Sequence, residues 1–259
     1  MSIIRTDKWL LDSYDDPIKM CEKLIPYFAG ATGYEIYQYL TLHGMYRPSK
    51  RGLDQVKSLQ EREVWKLVEK ERRKLQKDWE GPNVPVFIFP SESNNRKLFR
   101  SFNRKSGLAF HDKVFLFVSP DNSGTEIKAL LTHEYNHVCR LKHYDKKEQD
   151  YVLLDTVILE GLAEHAVYEK YGEDYVAHWA SNYSEDKLEN MWKNDVYPNR
   201  NLAKAERKHK EILFGLTKYP DMLGYSVGYY LIGNYSKSSN LMCRDLLAIE
   251  SNILAQIEK

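Results

Sequence analysis

A chain of 259 residues is long enough for one large domain, or for a domain with a helical extension. Its 38 lysines and arginines nearly balance 37 aspartates and glutamates, which leaves no electrostatic footprint for nucleic acid or an anionic membrane surface. Cys21, Cys139 and Cys243 lie far apart without Cys-x-x-Cys spacing, which argues against a disulfide framework. No apolar run approaches about eighteen residues, and aspartates come too early for a signal peptide, so the expected location is cytoplasmic and off the membrane.

The first eighty residues read as helical. Pro17 marks a helix start, followed by Ile18, Cys21, Leu24, Ile25 and Phe28 at helical spacing, with Gly30 and Gly33 as breaks. A second run spans Tyr34 to Leu42. Leu53, Val56, Leu59, Val64, Leu67, Val68, Leu75 and Trp79 predict one long amphipathic helix, ended by Gly81-Pro82. The charged cluster Lys70 to Lys77 reads as its solvated face. This region, 1–80, is expected to precede a second domain over 81–259.

That second part opens with strand-forming residues. Val84 to Phe89 is β-branched and aromatic, closes at Pro90, and carries a Pro85 that suits a strand start or an edge. Residues 91–106 are polar and read as a loop with room for one helical turn. Gly107 to His111 and Val114 to Val118, joined through Asp112-Lys113, form a hairpin. The fold class is therefore α+β, predominantly helical, with a small sheet over 84–118.

The next helix carries the chemistry. Ser123 is a candidate N-cap, with Glu126 three residues on to complete a capping box, and the helix is expected over Gly124 to His143. Ile127, Leu130, Leu131, Val138 and Leu141 form its apolar stripe, while Lys128, Thr132, Asn136, Arg140 and His143 fall elsewhere. Within it stands His133-Glu134-Tyr135-Asn136-His137. Two histidines four apart on a helix lie on one side, where both imidazoles reach one ion. Glu134 falls inside the apolar stripe, where a bare carboxylate is costly. A nearby metal resolves that conflict and gives Glu134 the role of base toward the metal's water. Cys139 points away from the two histidines and reads as a packing residue.

A second strong helix is expected from Gln149 to Tyr171, stopping at Gly172. The rest is mostly helical, interrupted at Pro198, Pro220 and Gly224. Catalytic zinc normally takes three protein ligands. Glu160 and Glu164 share one otherwise apolar stripe with Leu153, Val157, Val167 and Tyr171. The simplest account gives Glu160 to the metal and Glu164 to an imidazole N–H of His133 or His137. Should Glu160 fail, Glu164 and then His165 are next, although His165 lies off the stripe and reads as a surface residue. His143, His178 and His209 have no partner spacing. Tyr225 and Tyr229 lie one turn apart on a further helix, where either hydroxyl is a candidate oxyanion donor.

His133-Glu134-x-x-His137 followed by Glu160-Gly161-Leu162-Ala163-Glu164 resembles the gluzincin class of zinc metallopeptidases. Within it, the chain resembles the YjaZ-like predicted zinc-dependent protease family of Bacillus over roughly its second two-thirds, including Gly224 to Tyr229. The resemblance implies one zinc ion on His133, His137 and Glu160, with Glu134 as general base. It also implies a sheet edge that pairs with an extended substrate, from Gly107–His111 or Val114–Val118. Glu164 departs from the aspartate common at that position in the best-known gluzincins. The leading expectation is a zinc metallopeptidase acting on a peptide or protein. The alternatives are a peptide- or partner-binding protein with a non-catalytic zinc, and a zinc hydrolase of a small non-peptide amide.

Overall fold

In the computed structural model, residues 3–92 and 103–257 are described; the expected loop over 91–106 lies mostly outside them. The chain is α+β and predominantly helical, and it divides into two compact units, Met1–Val138 and Cys139–Lys259. No helix among the described residues is long and apolar enough to cross a membrane.

The first unit begins with short helices, of which the second and third are capped by side chains. These are α1 (Thr6–Ser13), α2 (Pro17–Glu22) and α3 (Gly33–Leu42), with a 3₁₀ turn at Ile25–Tyr27. Asp16 accepts from the Lys19 backbone N–H at 3.1 Å, with Pro17 in the first turn, where its missing donor costs nothing. Thr32 and Glu35 complete a capping box at α3.

The single helix expected from Leu53 to Trp79 is two, α4 (Gly52–Glu61) and α5 (Val64–Asp78). Glu63 breaks it in the left-handed region, at φ 51°. The apolar pattern itself runs through, since Val64 falls about 20° from Leu53 on a helical wheel, so the break is not written in the stripe. Arg62, at the break, donates to the backbone carbonyls of Pro120 and Asn122, fastening this corner to the turn before the histidine helix. Nor is the charged stretch of α5 a wholly solvated face. Glu71 and Arg72 are buried, and the Arg72 guanidinium meets Glu69 at 3.2 Å and Gln76 at 2.9 Å.

Three strands follow, β1 (Val86–Pro90), β2 (Ser106–Phe110) and β3 (Lys113–Val118), in the order β1-β3-β2. The hairpin pairs antiparallel, with Leu108 opposite Phe115, while β1 joins the far side of β3 in parallel, with Ile88 opposite Leu116. So β3 is central, and of the two segments proposed as a free edge only β2 qualifies. Both β1 and β3 are buried along their whole length, which matches their continuous apolar sequence. Phe87, Phe89, Phe115 and Phe117 share one core with Leu10, Met20, Leu24, Ile36 and Leu40 of the preceding helices, and Phe87 stacks on Phe115 at 4.8 Å.

Helix α6 (Gly124–His143) has the expected bounds and carries the division between the units. The second unit holds α7 (Leu153–Tyr171), α8 (Glu185–Met191) with a π turn at Trp192–Val196, α9 (Arg207–Phe214), α10 (Leu223–Ser239) and two short helices, α11 (Cys243–Leu246) and α12 (Ser251–Leu254). Helix α7 starts four residues later than expected. Residues Glu148–Asp150 form a 3₁₀ turn, and Asp155 accepts from the Val152 N–H at 3.0 Å, fixing the first turn there. Asp155 also meets Lys146 at 2.6 Å and Ser251 at 2.7 Å. Gly172, at φ 84°, ends α7. Gly224 does not interrupt the next helix but sits in the first turn of α10; the break is at Gly215, φ 67°.

His209, which has no partner spacing in the sequence, is buried on α9 with its Nε2 3.2 Å from the Thr156 hydroxyl of α7. Burial, then Lys204 and Lys210, hold its pKa below the ordinary histidine value. The neutral ring is therefore favoured in the folded chain. That stability is complete above the unfolded-state value near 6.5 and declines as pH falls from there toward the lower folded-state value. Urea unfolding at pH 7.5 and pH 5 should show the loss in wild type, and a smaller loss in His209→Gln.

Candidate active site

The first unit contributes the histidine helix and the sheet edge beside it. The α6 N-terminus is closed by a capping box in which Ser123 N–H donates to Glu126 at 2.7 Å and Glu126 N–H donates to the Ser123 hydroxyl at 3.1 Å. Tyr135 donates to the Pro82 carbonyl at 2.7 Å and stacks on Trp79 at 6.1 Å, holding α6 against the segment after α5. With the helix so fixed, the His133 and His137 rings stand one turn apart, 4.7 Å between centroids and at 88°.

Glu134 lies between them in sequence and is 7% exposed. Its side chain runs against the backbone of β2 at Gly107. A Cβ built on Gly107 would fall inside the van der Waals envelope of Glu134 Cγ, Cδ and Oε1. Only glycine leaves room there. Among the described residues β3 is the sole strand partner of β2, so a free backbone edge passes beside a buried carboxylate. Gly107 was part of the expected hairpin, but nothing in the sequence marks it as the residue that admits Glu134.

The α6 surface is less amphipathic than its sequence suggests. Thr132, Asn136 and Arg140, placed off the apolar stripe, are buried, whereas Leu130 and Leu141, placed on it, are half-buried. Arg140 tolerates burial because its guanidinium donates to the carbonyls of Leu247 at 2.8 Å and Ile249 at 2.7 Å and lies 3.7 Å from the Tyr144 ring centre. Cys139 is buried, as a packing residue should be.

Within the second unit, α7 carries Glu160 and Glu164 and α10 carries Tyr225 and Tyr229. Glu160 is half-buried; Glu164 is 3% exposed and accepts a hydrogen bond from the Ala177 N–H, which fixes its carboxylate. His165 is a correction to the expected surface residue. It is buried, tilted against Tyr229 at 6.1 Å and stacked on Tyr168 at 5.8 Å. The sequence stripe through Glu160 misses it because α7 is buried on nearly every side over residues 153–167, so position off one stripe does not mean solvent.

Tyr225 and Tyr229 both lie on α10, half-buried. The Tyr225 ring packs edge-on to Trp179 at 5.3 Å and beside Phe214 at 5.7 Å. Burial, and then the charge of Glu164, push the Tyr229 hydroxyl up to about 12, so it remains a proton-bearing donor at neutral pH. The two helices cross at a pair of glycines. A Cβ on Gly161 would meet the backbone of Gly228, and one on Gly228 would meet the Val157 carbonyl. This approach brings the carboxylates of α7 and the tyrosines of α10 onto neighbouring backbones.

Two imidazoles one turn apart on α6 are nitrogen donors of the kind that zinc takes. The chain belongs to DUF2268, a family of predicted Zn-dependent proteases, whose model matches residues 64–256. It is also similar to the uncharacterized protein YjaZ of Bacillus subtilis strain 168, with 39% identity over 254 residues that cover 96% of each chain. No solved structure matches.

The glycine crossing gives a direct test. Gly228→Ala should cost about 1–3 kcal/mol, as overpacking against rigid backbone does. Gly233→Ala on the same helix, where a Cβ meets nothing within 4 Å, should instead gain roughly 0.5–1 kcal/mol from helix propensity. Opposite shifts in thermal midpoint are expected.

Proposed function

We propose that this chain is a zinc metallopeptidase of the gluzincin type, in which His133, His137 and Glu160 hold one zinc ion and Glu134 is the general base. The observation that carries the proposal is the buried Glu134 carboxylate, between two histidines in sequence whose rings stand one turn apart, and against a strand edge that no described strand covers. A structural zinc site has no use for such a base. Two imidazoles and a carboxylate are the donor set of a catalytic rather than a closed site. Membership of a family of predicted Zn-dependent proteases agrees with it.

Zinc, when bound, supplies a Lewis acid that polarises a carbonyl and lowers the pKa of water to about 7. Glu134 accepts the proton of the attacking water and returns it to the amide nitrogen as the C–N bond breaks. The backbone of β2 aligns an extended peptide by strand addition, with Gly107 keeping the path beside Glu134 clear. A hydroxyl of Tyr225 or Tyr229 donates to the oxyanion of the tetrahedral intermediate. Glu164 is a positioning residue that receives an imidazole N–H and so fixes the tautomer of a ligand.

The protein, purified without a histidine tag and loaded with zinc, should cleave members of a mixed peptide library. Glu134→Gln should keep its zinc and lose about 10²–10⁴-fold in kcat, the range of general-base catalysis. Undiminished turnover in that variant removes the mechanism. Glu160→Ala should lose most of its zinc by elemental analysis, and stoichiometric, tightly held zinc would assign the third ligand elsewhere. Replacing Glu164 should weaken zinc affinity about 10–100-fold. Gly107→Ala should retain zinc and lower kcat, because the added methyl displaces Glu134.

A further inference from the structure

A second set of metal-binding side chains lies wholly within the second unit. His165 and Glu169 occupy successive turns of α7, and Cys243 opens α11. One donor atom from each lies within 4.8 Å of the others. Cys243 and His165 are buried, and the Glu169 side chain is 15% exposed.

The Cys243 thiol and the Glu169 carboxyl share a hydrogen bond, and the imidazole stands apart from both. His165 Nε2 stands 3.7 Å from Glu169 Oε1, beyond hydrogen-bond length. His165 Nδ1 is buried without a hydrogen-bond partner. The Cys243 thiol turns to the Leu162 carbonyl at 3.4 Å, while its backbone N–H donates to Glu169 Oε1 at 2.7 Å and anchors that carboxylate beside the sulfur. Ligands at about 2.0–2.3 Å from a tetrahedral ion stand roughly 3.3–3.7 Å apart, so the imidazole–carboxylate gap suits a shared cation better than a direct contact.

We propose that His165, Glu169 and Cys243 form a second zinc site, with three protein ligands, that ties the start of α11 to α7. A bound dication takes a carboxylate oxygen, a neutral imidazole nitrogen and a thiolate, and the thiol proton passes to solvent. The thiolate sets the class of metal. Sulfur beside nitrogen and oxygen selects zinc or cobalt over magnesium or calcium.

The test is cobalt titration of the full-length, untagged chain, read by elemental analysis and near-ultraviolet absorption. Two equivalents should bind, one of them with a thiolate-to-cobalt charge-transfer band. Cys243→Ser should lose the band and one equivalent, and Glu169→Gln should weaken the same equivalent. The double variant His133→Ala, His137→Ala should retain one equivalent and the band, which separates this site from the peptidase reading. Absence of the band at saturating cobalt in wild type overturns the proposal. So does a band that survives Cys243→Ser, since the sulfur would then be Cys21 or Cys139. Circular dichroism of each variant confirms that loss of metal is not loss of fold.

Discussion

The contact between Glu134 and the backbone of Gly107 sets the terms for the first unit. A carboxylate withdrawn from water must be compensated, and a strand that passes so close must lack a side chain on that face. Each condition constrains a different element. The helix has to present Glu134 inward, which the Ser123 cap and the Tyr135–Pro82 hydrogen bond secure. The strand has to be held at its own edge, which β3 does by taking the centre of the sheet.

Much of this was legible in the sequence, and for local reasons. The bounds of α6 follow from a cap, a charge pattern and an apolar repeat that all lie within twenty residues of one another. The hairpin is equally local. What stayed hidden depends on partners far along the chain. The parallel pairing of β1 with β3 carries no signal in either strand, because both read simply as apolar runs. Arg140 looks like a surface cation until the carbonyls near Ile249, over a hundred residues away, are in place around it. His165 looks solvent-facing until α10 and α11 cover it. The break between α4 and α5 is hidden for another reason: the apolar stripe runs on through it, and only the left-handed backbone at Glu63 marks it.

The glycines at the α7–α10 crossing show how packing fixes the places of the side chains beside them. Gly161 follows Glu160, and Gly228 precedes Tyr229. Removing the Cβ from both lets the backbones approach until carbonyl meets α-carbon, so the side chains next to them start from fixed positions. Rotating either helix would drive a peptide group into its neighbour, so the two are locked in register.

The open edge of β2 has a cost that its length limits. An unpaired strand recruits any extended chain, including a second copy of itself, and that is how soluble proteins begin to aggregate. β2 is five residues long and half-buried, with Lys105 at its start and Lys113 opposite its last residue, the latter 4.3 Å from the Phe110 ring centre. A strand from another molecule would find a ladder only five residues long, with Lys105 paired to Glu126 at its start. Such an edge is long enough to register a few residues of a passing chain and too short to nucleate a stack of whole molecules.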